Sequence, residues 1–595
     1  MKCPRCQQEN AASLKFCGEC GARLASICAA CGASNAPAQK FCGECGAALA
    51  PGAPAAKFAS PGSYTPKHLA EKILTSRSAL EGERKQVTVL FCDVVDSSRL
   101  AERLGPEGMH EVMDHALRLM AEAVHRYEGT VNQFLGDGLM ALFGAPVALE
   151  DHAFRGVQAA LAVRETLGGY SEQLKGERGV DIRLRLGLNT GPVVVGKIGD
   201  DLRMDYTAVG GTTHLAARMQ ALAEPGVILI TDTTHRLVEG YVRSEPLGPI
   251  QVKGKSEPVS VYRVAGRRRG RTRLEVSAER GLTPLVGRER EVGVLHDCLA
   301  RVKTGRGQVV GVVGEAGVGK SRLLYEFRKS LEGERVTLLE GHCVAYGQAT
   351  PYLAVLEIVR ANFEIEEDDN PLQVQEKLRQ GVLRLDPGLE GTLPILQALF
   401  GLPGADETLK HLDPKDRRQK TFDAIRTLTV AGSQRQPHVV IVEDLHWIDK
   451  TSEDFFAFLV ESVAGMPFLL LTTHRPGYTV RWADKTYYTQ INLDLLTERE
   501  TDALVAALLK SSSLPPDLIQ IVREKAEGNP LFVEEITASL LERGMLVRRN
   551  GEIIWTGGAA VEVPASIQDL IRARIDRLEE PVKRTVQAAA VIGRE

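Results

Sequence analysis

At 595 residues the chain is longer than one hydrophobic core organises, since domains run to about 100–200 residues, so three or four folded units are expected. A composition of 44% apolar and 25% charged residues is that of ordinary globular protein. No run approaches the ~18 apolar residues of a membrane span, and the opening MKCPRC lacks the apolar core of a secretory signal. Together with a formal net charge of -4, this predicts a cytoplasmic protein with neither a membrane nor a nucleic-acid partner.

Eight of the 11 cysteines fall within the first 45 residues, and only Cys92, Cys298 and Cys343 lie elsewhere. Cys3, Cys6, Cys17 and Cys20 recur as Cys28, Cys31, Cys42 and Cys45, each shifted by 25, and each half reads C-x2-C-x10-C-x2-C. Two such knuckles gather four thiolates into a tetrahedron. Soft sulfur in a reducing compartment selects zinc over a disulfide framework or an iron–sulfur centre. Two structural Zn2+ ions are expected. All four positions of each site are taken by protein, so the role is structural or that of an adaptor for an unidentified protein partner. This unit, which resembles a double zinc ribbon, is placed at 1–48.

A Pro/Ala/Gly-rich linker follows at 49–65, then a short helix within 66–84, with Leu69, Ile73 and Leu80 near helical spacing. Strands and helices then alternate from 85 to about 264. VTVLF (87–91) reads as a buried strand, and Val112, Ala116, Leu119, Ala123 and Tyr127 mark one helix face. VNQFLGDGLMALF reads as a hairpin around Gly-Asp-Gly. IRLRLGL, VVVGKIG, VILIT and VSVYRV complete a mixed sheet. The arginine-rich GRRRGRTR lies in a linker at 265–280, where a basic tract is more often solvated than bound to nucleic acid. A second α/β unit, 281–545, has strands near 309–313, 439–442 and 468–473. Residues 546–595 read as the start of a winged-helix or helical arm. The chain stops inside an apolar helical pattern, AAAVIGRE, so the native protein is expected to continue past residue 595.

Two segments bear nucleotide chemistry. In the first unit, Asp93 ends the VTVLFCD strand and Asp137 occupies the hairpin tip. Two carboxylates on adjacent strand ends suit a pair of Mg2+ or Mn2+ ions held against a triphosphate. Asp is also common in turns, and the decisive addition is MDYTAVGGTTHLAARM, with Arg218 one helical turn from His214.

Together these segments resemble the class III adenylyl/guanylyl cyclase catalytic domain over 85–264, and the helix before them resembles the signalling helix that often precedes it. The resemblance implies a ferredoxin-like core that works as a homodimer, each site drawing on both subunits. It implies that Asp93 and Asp137 bind the metals and that the backbone from Phe91 to Val94 cradles phosphate. Arg218 would stabilise the pentavalent phosphorus. Gln133 stands at the purine-reading lysine position, Thr207 at its partner position, and His214 replaces the asparagine that orients the ribose. Gln133 and Thr207 could still hydrogen-bond adenine. Losing the asparagine's donor would cost ~2.7–4 kcal/mol of transition-state stabilisation if His214 did not replace it. The implied reaction turns ATP into cyclic AMP and pyrophosphate, ATP being favoured over GTP because no Glu–Cys pair occupies positions 133 and 207.

In the second unit GEAGVGKS (314–321) follows the strand VVGVV and precedes a helix, the context that makes a P-loop. Gly314, Gly317 and Gly319 shape the turn, Lys320 reaches the β- and γ-phosphates, and the Ser321 hydroxyl meets Mg2+. HVVIVEDLHW places Glu443 where an Asp usually holds the Mg2+ shell and Asp444 at the base-like position, a swap expected to slow ATP hydrolysis without preventing binding. Arg475 is a candidate γ-phosphate sensor. Gly528 and Pro530 match a GxP element beside the nucleotide, and LVGRERE precedes the loop. This unit resembles the STAND branch of AAA-like ATPases, which implies an ADP-bound closed state and an ATP-bound open state.

The fold class expected is therefore multidomain α/β: zinc ribbons, a ferredoxin-like class III cyclase domain, and a P-loop α/β ATPase with a helical or winged-helix C-terminal arm. The order resembles large bacterial signalling cyclases related to soluble adenylyl cyclase. Two other readings stay open. One is an ATP-dependent switch whose cyclase-like domain only binds nucleotide or dimerises. The other is a zinc-ribbon DNA regulator, which the charge balance disfavours.

Overall fold

The computed structural model describes residues 84–198, 204–207, 211–252, 257–268, 281–348, 350–366, 369–402, 411–511, 513–549 and 552–556, with a few short stretches elsewhere. The eight clustered cysteines and residues 67–83, where the helix ahead of the cyclase-like unit is expected, lie outside the described residues.

The first described unit begins with β1 (Arg84–Val94), whose Val87, Thr88, Val89 and Leu90 are all buried. A strand buried on both faces needs such an uninterrupted run, because helices cover it above and below. Next come α1 (Ser97–Arg126), β2 (Thr130–Phe134), β3 (Gly138–Phe143), α2 (His152–Arg178) and β4 (Leu184–Ile198). These form a βαββαβ core with spatial order β4-β1-β3-β2, antiparallel throughout, which is the expected ferredoxin-like arrangement. Beyond β4 lie β5 (Met204–Thr207), α3 (Thr212–Leu222), β6 (Ile228–Thr231), α4 (Asp232–Val238), β7 (Val242–Ile250) and β8 (Val259–Arg267). Strand β6 pairs parallel with β4, then β8 and β7 extend the sheet antiparallel, giving the mixed sheet expected.

Helix α1 bends where Gly105 (φ 70) precedes Pro106, the residue pair least able to continue a helix. Its buried Val112, Ala116, Met120 and Val124 face the sheet beside α2, whose Ala153, Val157, Ala160 and Val163 are small enough for close packing.

The second unit is a five-stranded, all-parallel sheet of β9 (Gln308–Val313), β10 (Thr337–His342), β11 (His438–Glu443), β12 (Phe468–His474) and β13 (Tyr488–Asn492). Its order is β10-β11-β12-β9-β13. Helices on both faces enclose two apolar cores, and α5 (Glu289–Lys303) and α6 (Lys320–Ser330) belong to one of them. Binding loops of such sheets gather at the carboxyl ends of the strands, where β9 meets α6.

Helices α7 (Glu498–Leu509), α8 (Pro516–Ala526) and α9 (Pro530–Glu542) follow. A hairpin of β14 (Leu546–Arg549) and β15 (Glu552–Trp555) buries Leu546 and Ile553 in the same core as Leu504, Val522 and Ile536. Hairpin and helices therefore form one packed body. Among the described residues no helix is long and apolar enough to cross a membrane.

Candidate functional site

Asp93 is the penultimate residue of β1, in register with Gly138 of β3 on one side and Arg185 of β4 on the other. The turn ahead of β3 brings Asp137 against it, and a Cβ at Gly138 would lie 2.1 Å from the Cys92 carbonyl oxygen, so this approach requires glycine. The two carboxyl groups share a hydrogen bond. Burial, with that bond and the neighbouring charge, raises the Asp93 pKa to about 7, against the opposing pull of Arg185 and Gln220. Ser97 Oγ donates to Asp137 Oδ2 at 2.5 Å, and Gln220 Nε2 donates to Asp93 Oδ2 at 3.3 Å.

Two carboxyl groups held together at a strand end are relieved by a divalent cation, and their hard oxygen donors suit Mg2+ or Mn2+. Among the described residues no cluster of three or more His, Cys, Asp or Glu forms a metal site, so these two carboxylates would depend on phosphate and water oxygens to complete a coordination shell. The residues present fit the ions.

The other expected cyclase residues are placed differently. Helix α3 buries Ala216 and Met219 and turns Gln220 to Asp93. His214 and Arg218, one turn apart on another face, are exposed and make no hydrogen bond or ion pair with described residues. Gln133 is exposed on the edge strand β2. Thr207 ends β5 opposite Val194, and its side chain lies outside the described residues. The backbone of Phe91 to Val94, expected to cradle phosphate, is engaged otherwise. Phe91 sits in the ladder between Met140 and Gly187, and the Val94 amide donates to the Asp137 carbonyl at 3.1 Å. The donors that reach the carboxylates are instead the side chains of Ser97 and Gln220. Ser97, Arg185 and Gln220 were not legible as site residues. Arg185 alternates with leucines like any half-exposed strand residue, and only the β1–β4 register sets it opposite Asp93.

The P-loop is brought together largely as expected. Gly317 and Gly319 adopt left-handed φ values of 81 and 101, and Lys320 is the first residue of α6. Lys320 Nζ donates to the carbonyls of Gly314 and Glu315, both at 2.9 Å. Ser321 Oγ donates to Glu443 Oε2 at 2.5 Å, so the two expected Mg2+-shell groups already meet and fit that ion. The Asp444 (φ 59) amide donates to Thr473 Oγ1 at 2.9 Å. Burial raises the Asp444 pKa while the charges of Lys320, Arg475 and His342 pull it down, which puts Arg475 at the site. Burial likewise raises Glu443. For His342, burial works against the charge, but the hydrogen bond and charge of Glu357, with Glu443 and Glu340, hold the imidazole up at about 9.

Two loop clamps were missed. Asn529 Nδ2 donates to the Ala316 carbonyl at 3.0 Å, and Leu531 N to the Gly317 carbonyl at 3.2 Å. Gly528 (φ 76) and Pro530, the first residue of α9, therefore frame the residue that grips the loop. Arg288, within LVGRERE, reaches the carbonyls of Val318 (3.3 Å) and Asp494 (2.6 Å). Lys320, Glu443, Asp444, Arg475 and Pro530 line one cleft of about 2370 Å3, which is also walled by residues of the cyclase-like unit such as Arg155.

Comparison with known proteins agrees with this division. The adenylate and guanylate cyclase catalytic domain model matches residues 81–266, the AAA ATPase domain model 284–471 and the double zinc ribbon model 3–46. A domain of unknown function matches 497–552, the helices and hairpin after the sheet. An uncharacterised protein of Rhizobium meliloti (strain 1021) is 30% identical over 479 residues, covering 79% of this chain and 46% of that protein. Adenylate cyclase 1 of the same organism is 31% identical over 207 residues, 34% of this chain and 31% of that one. The chain thus spans less than half the length of these curated relatives. The crystal structure of the adenylyl cyclase CyaB from P. aeruginosa is similar over 32% of this chain and 100% of its own, at 34% identity and a TM-score of 0.31. The chain carries, in order, a double zinc ribbon, a class III adenylate/guanylate cyclase catalytic domain and an AAA ATPase domain.

Proposed function

We propose that the chain converts ATP to cyclic AMP and pyrophosphate at a site completed by a second copy of itself, under control of nucleotide held by the ATPase unit. The observation that carries this reading is the convergence of Asp93, whose carboxyl is raised to about 7 by burial and by the adjoining Asp137, with Asp137 itself, an arrangement suited to divalent cations. In the reaction the ribose 3′-oxygen forms a bond to the α-phosphorus, the bond from that phosphorus to the leaving pyrophosphate breaks, and the 3′-hydroxyl proton passes to solvent or a phosphate oxygen. Bound Mg2+ or Mn2+ would activate the hydroxyl and neutralise the leaving group.

The protein's share is positioning. Ser97 and Gln220 hold the two carboxylates, and Arg185 offers a cation beside them. Arg218 and His214, exposed on α3, are free to face a partner's carboxylate pair and there stabilise charge developing on the phosphorus. Gln133 and Thr207 would read the purine edge. Adenine is favoured because no Glu–Cys pair occupies positions 133 and 207, and the similar Rhizobium meliloti protein named an adenylate cyclase supports the same choice.

At the P-loop, Lys320 and Ser321 would hold ATP with Mg2+, with Glu443, Asp444 and Arg475 around the γ-phosphate. The Glu-Asp order supports slow hydrolysis and a switch-like role of the STAND kind. The eight N-terminal cysteines are proposed to hold two zinc ions in a reducing cytoplasm and to dock a protein partner.

The test is cyclic nucleotide and pyrophosphate release by the purified chain from ATP and from GTP with Mn2+. Asp93→Ala should lower release from ATP at least about a hundredfold, the scale of removing an electrostatic anchor of the transition state. A second reading, an ATP-dependent switch without cyclisation, draws on Gln133 and His214. A chain that stays silent even as His214→Asn, while still binding ATP at Lys320, would favour it.

A further inference from the structure

At the seam between the cyclase and ATPase units, Tyr346 of the ATPase unit reaches the cyclase unit. It lies in a single 3-10 turn, Ala345–Gly347, just after β10. Its ring is 5.0 Å from that of Tyr127, at the end of α1, and the Arg155 guanidinium carbon lies 5.4 Å over it. Tyr346 thus packs against the apolar core of the cyclase unit. Arg155 is 2% exposed and is fixed by two carboxylates, its Nε on Asp151 at 2.6 Å and a terminal nitrogen on Glu128 at 2.7 Å. A cation so held cannot swing away, and the ring resting on it is a defined contact.

Each side of this contact runs into a nucleotide site. On the ATPase side, His342 pairs in register with Glu443, and the Cys343 amide donates to the Glu443 carbonyl at 3.0 Å. Glu443 is the acid that receives Ser321. Nucleotide loading engages Ser321 and Glu443, and therefore acts on the strand end only a few residues from Tyr346.

On the cyclase side, His152 follows Asp151 at the start of α2, and its Nδ1 is 2.9 Å from Thr88 Oγ1. A buried polar chain continues from Thr88 to Thr190 (2.8 Å) and Thr234 (3.0 Å), then through Thr231 to Asn189, which Thr231 reaches at 2.7 Å. Asn189 Nδ2 donates to the carbonyl of Thr212 at 3.0 Å, the first residue of α3. That helix bears Gln220, which holds Asp93, together with His214 and Arg218. Buried networks with their partners satisfied have few alternative arrangements, so a shift at one end is passed on or resisted as a unit.

We propose that Tyr346 is the positioning residue through which nucleotide at Lys320 sets the placement of α3, and with it the output of the cyclase site. This rests on the reading of a cyclase governed by the P-loop, and its test does not depend on turnover.

Hydrogen–deuterium exchange of the full chain is followed with and without MgADP, which carries no pyrophosphate to expel and cannot be cyclised. MgADP is expected to slow exchange around residues 314–321 and to change it in α3 by about threefold or more. Lys320→Ala should lose both responses, which assigns them to the P-loop. Tyr346→Ala should keep the P-loop protection, with fluorescent-ADP affinity within about twofold of wild type, yet lose the α3 response. Tyr346→Leu, which refills the seam with an apolar side chain, should behave the same way and separates the loss from a packing defect. An α3 that ignores MgADP in the wild type, or responds equally in both Tyr346 variants, overturns the proposal. Cyclic nucleotide release is measured separately. A chain that shows the coupling and makes no cyclic product removes the proposed reaction and leaves the coupling standing.

Discussion

Asp93 shows how far one residue's environment departs from its sequence neighbourhood. Its carboxyl is raised to about 7, first by burial and then by Asp137. Between the ordinary carboxylate range and about 7, the folded state therefore holds a proton that the unfolded chain has released. It follows that, in chelator, the thermal midpoint of the cyclase unit should fall as pH rises through that window, and Asp93→Asn should flatten the slope. Mn2+ competes with the same proton, so its affinity should climb with pH up to about 7 and level off beyond, as calorimetric titration would show. That the two aspartates would meet was legible, because one ends a strand and the other sits at the tip of the adjacent hairpin. Ser97, Arg185 and Gln220 were not, since each is defined by what stands opposite it.

At the scale of elements, the strands read most plainly from sequence are buried on both faces, such as VTVLF, HVVIV and FLLLT. Among the strands passed over, β7, β10 and β13 lie at sheet edges. An edge strand is half-solvated and loses the unbroken apolar run that announces a central one. VRSEPLGPI, with two prolines, reads as a loop until pairing with β8 makes it a strand. Helix α3 illustrates the reverse, an element whose presence is plain and whose position depends on a distant glycine. A Cβ at Gly187 would lie 2.0 Å from the Gln220 amide nitrogen, backbone that cannot yield without moving the helix. Gly187→Ala should cost ~1–3 kcal/mol in denaturant titrations and lower cyclase activity by more than that loss of folded protein explains. At the P-loop, Asn529 both caps α9 and holds Ala316. Asn529→Ala should cost ~1–2 kcal/mol and weaken nucleotide binding, while Pro530→Ala should do neither to the same degree.

For the molecule as a whole, the order of units was legible because each carries its own motif: duplicated cysteine knuckles, a carboxylate pair, a P-loop. The seam was not. Tyr346 and Arg155 lie far apart in the chain, and neither belongs to a pattern that local periodicity reveals. Metal analysis belongs at this scale too. Zinc measured per chain should be two, falling to one in Cys17→Ser, with the cyclase and ATPase units still folded.

The proposed cyclase site is shared between two copies, because Asp93 and Asp137 gather in one place while Arg218 and His214 are exposed on α3. Co-expression of Asp93→Ala and Arg218→Ala chains tests it most directly, with cyclic AMP formation from ATP and Mn2+ as the readout. Each variant alone should be nearly silent. Mixed at equal amounts, half the dimers carry one intact site of two, so activity should return to roughly a quarter of wild type. A mixture as silent as its parts, or an Arg218→Ala chain as active as wild type, would contradict the shared site.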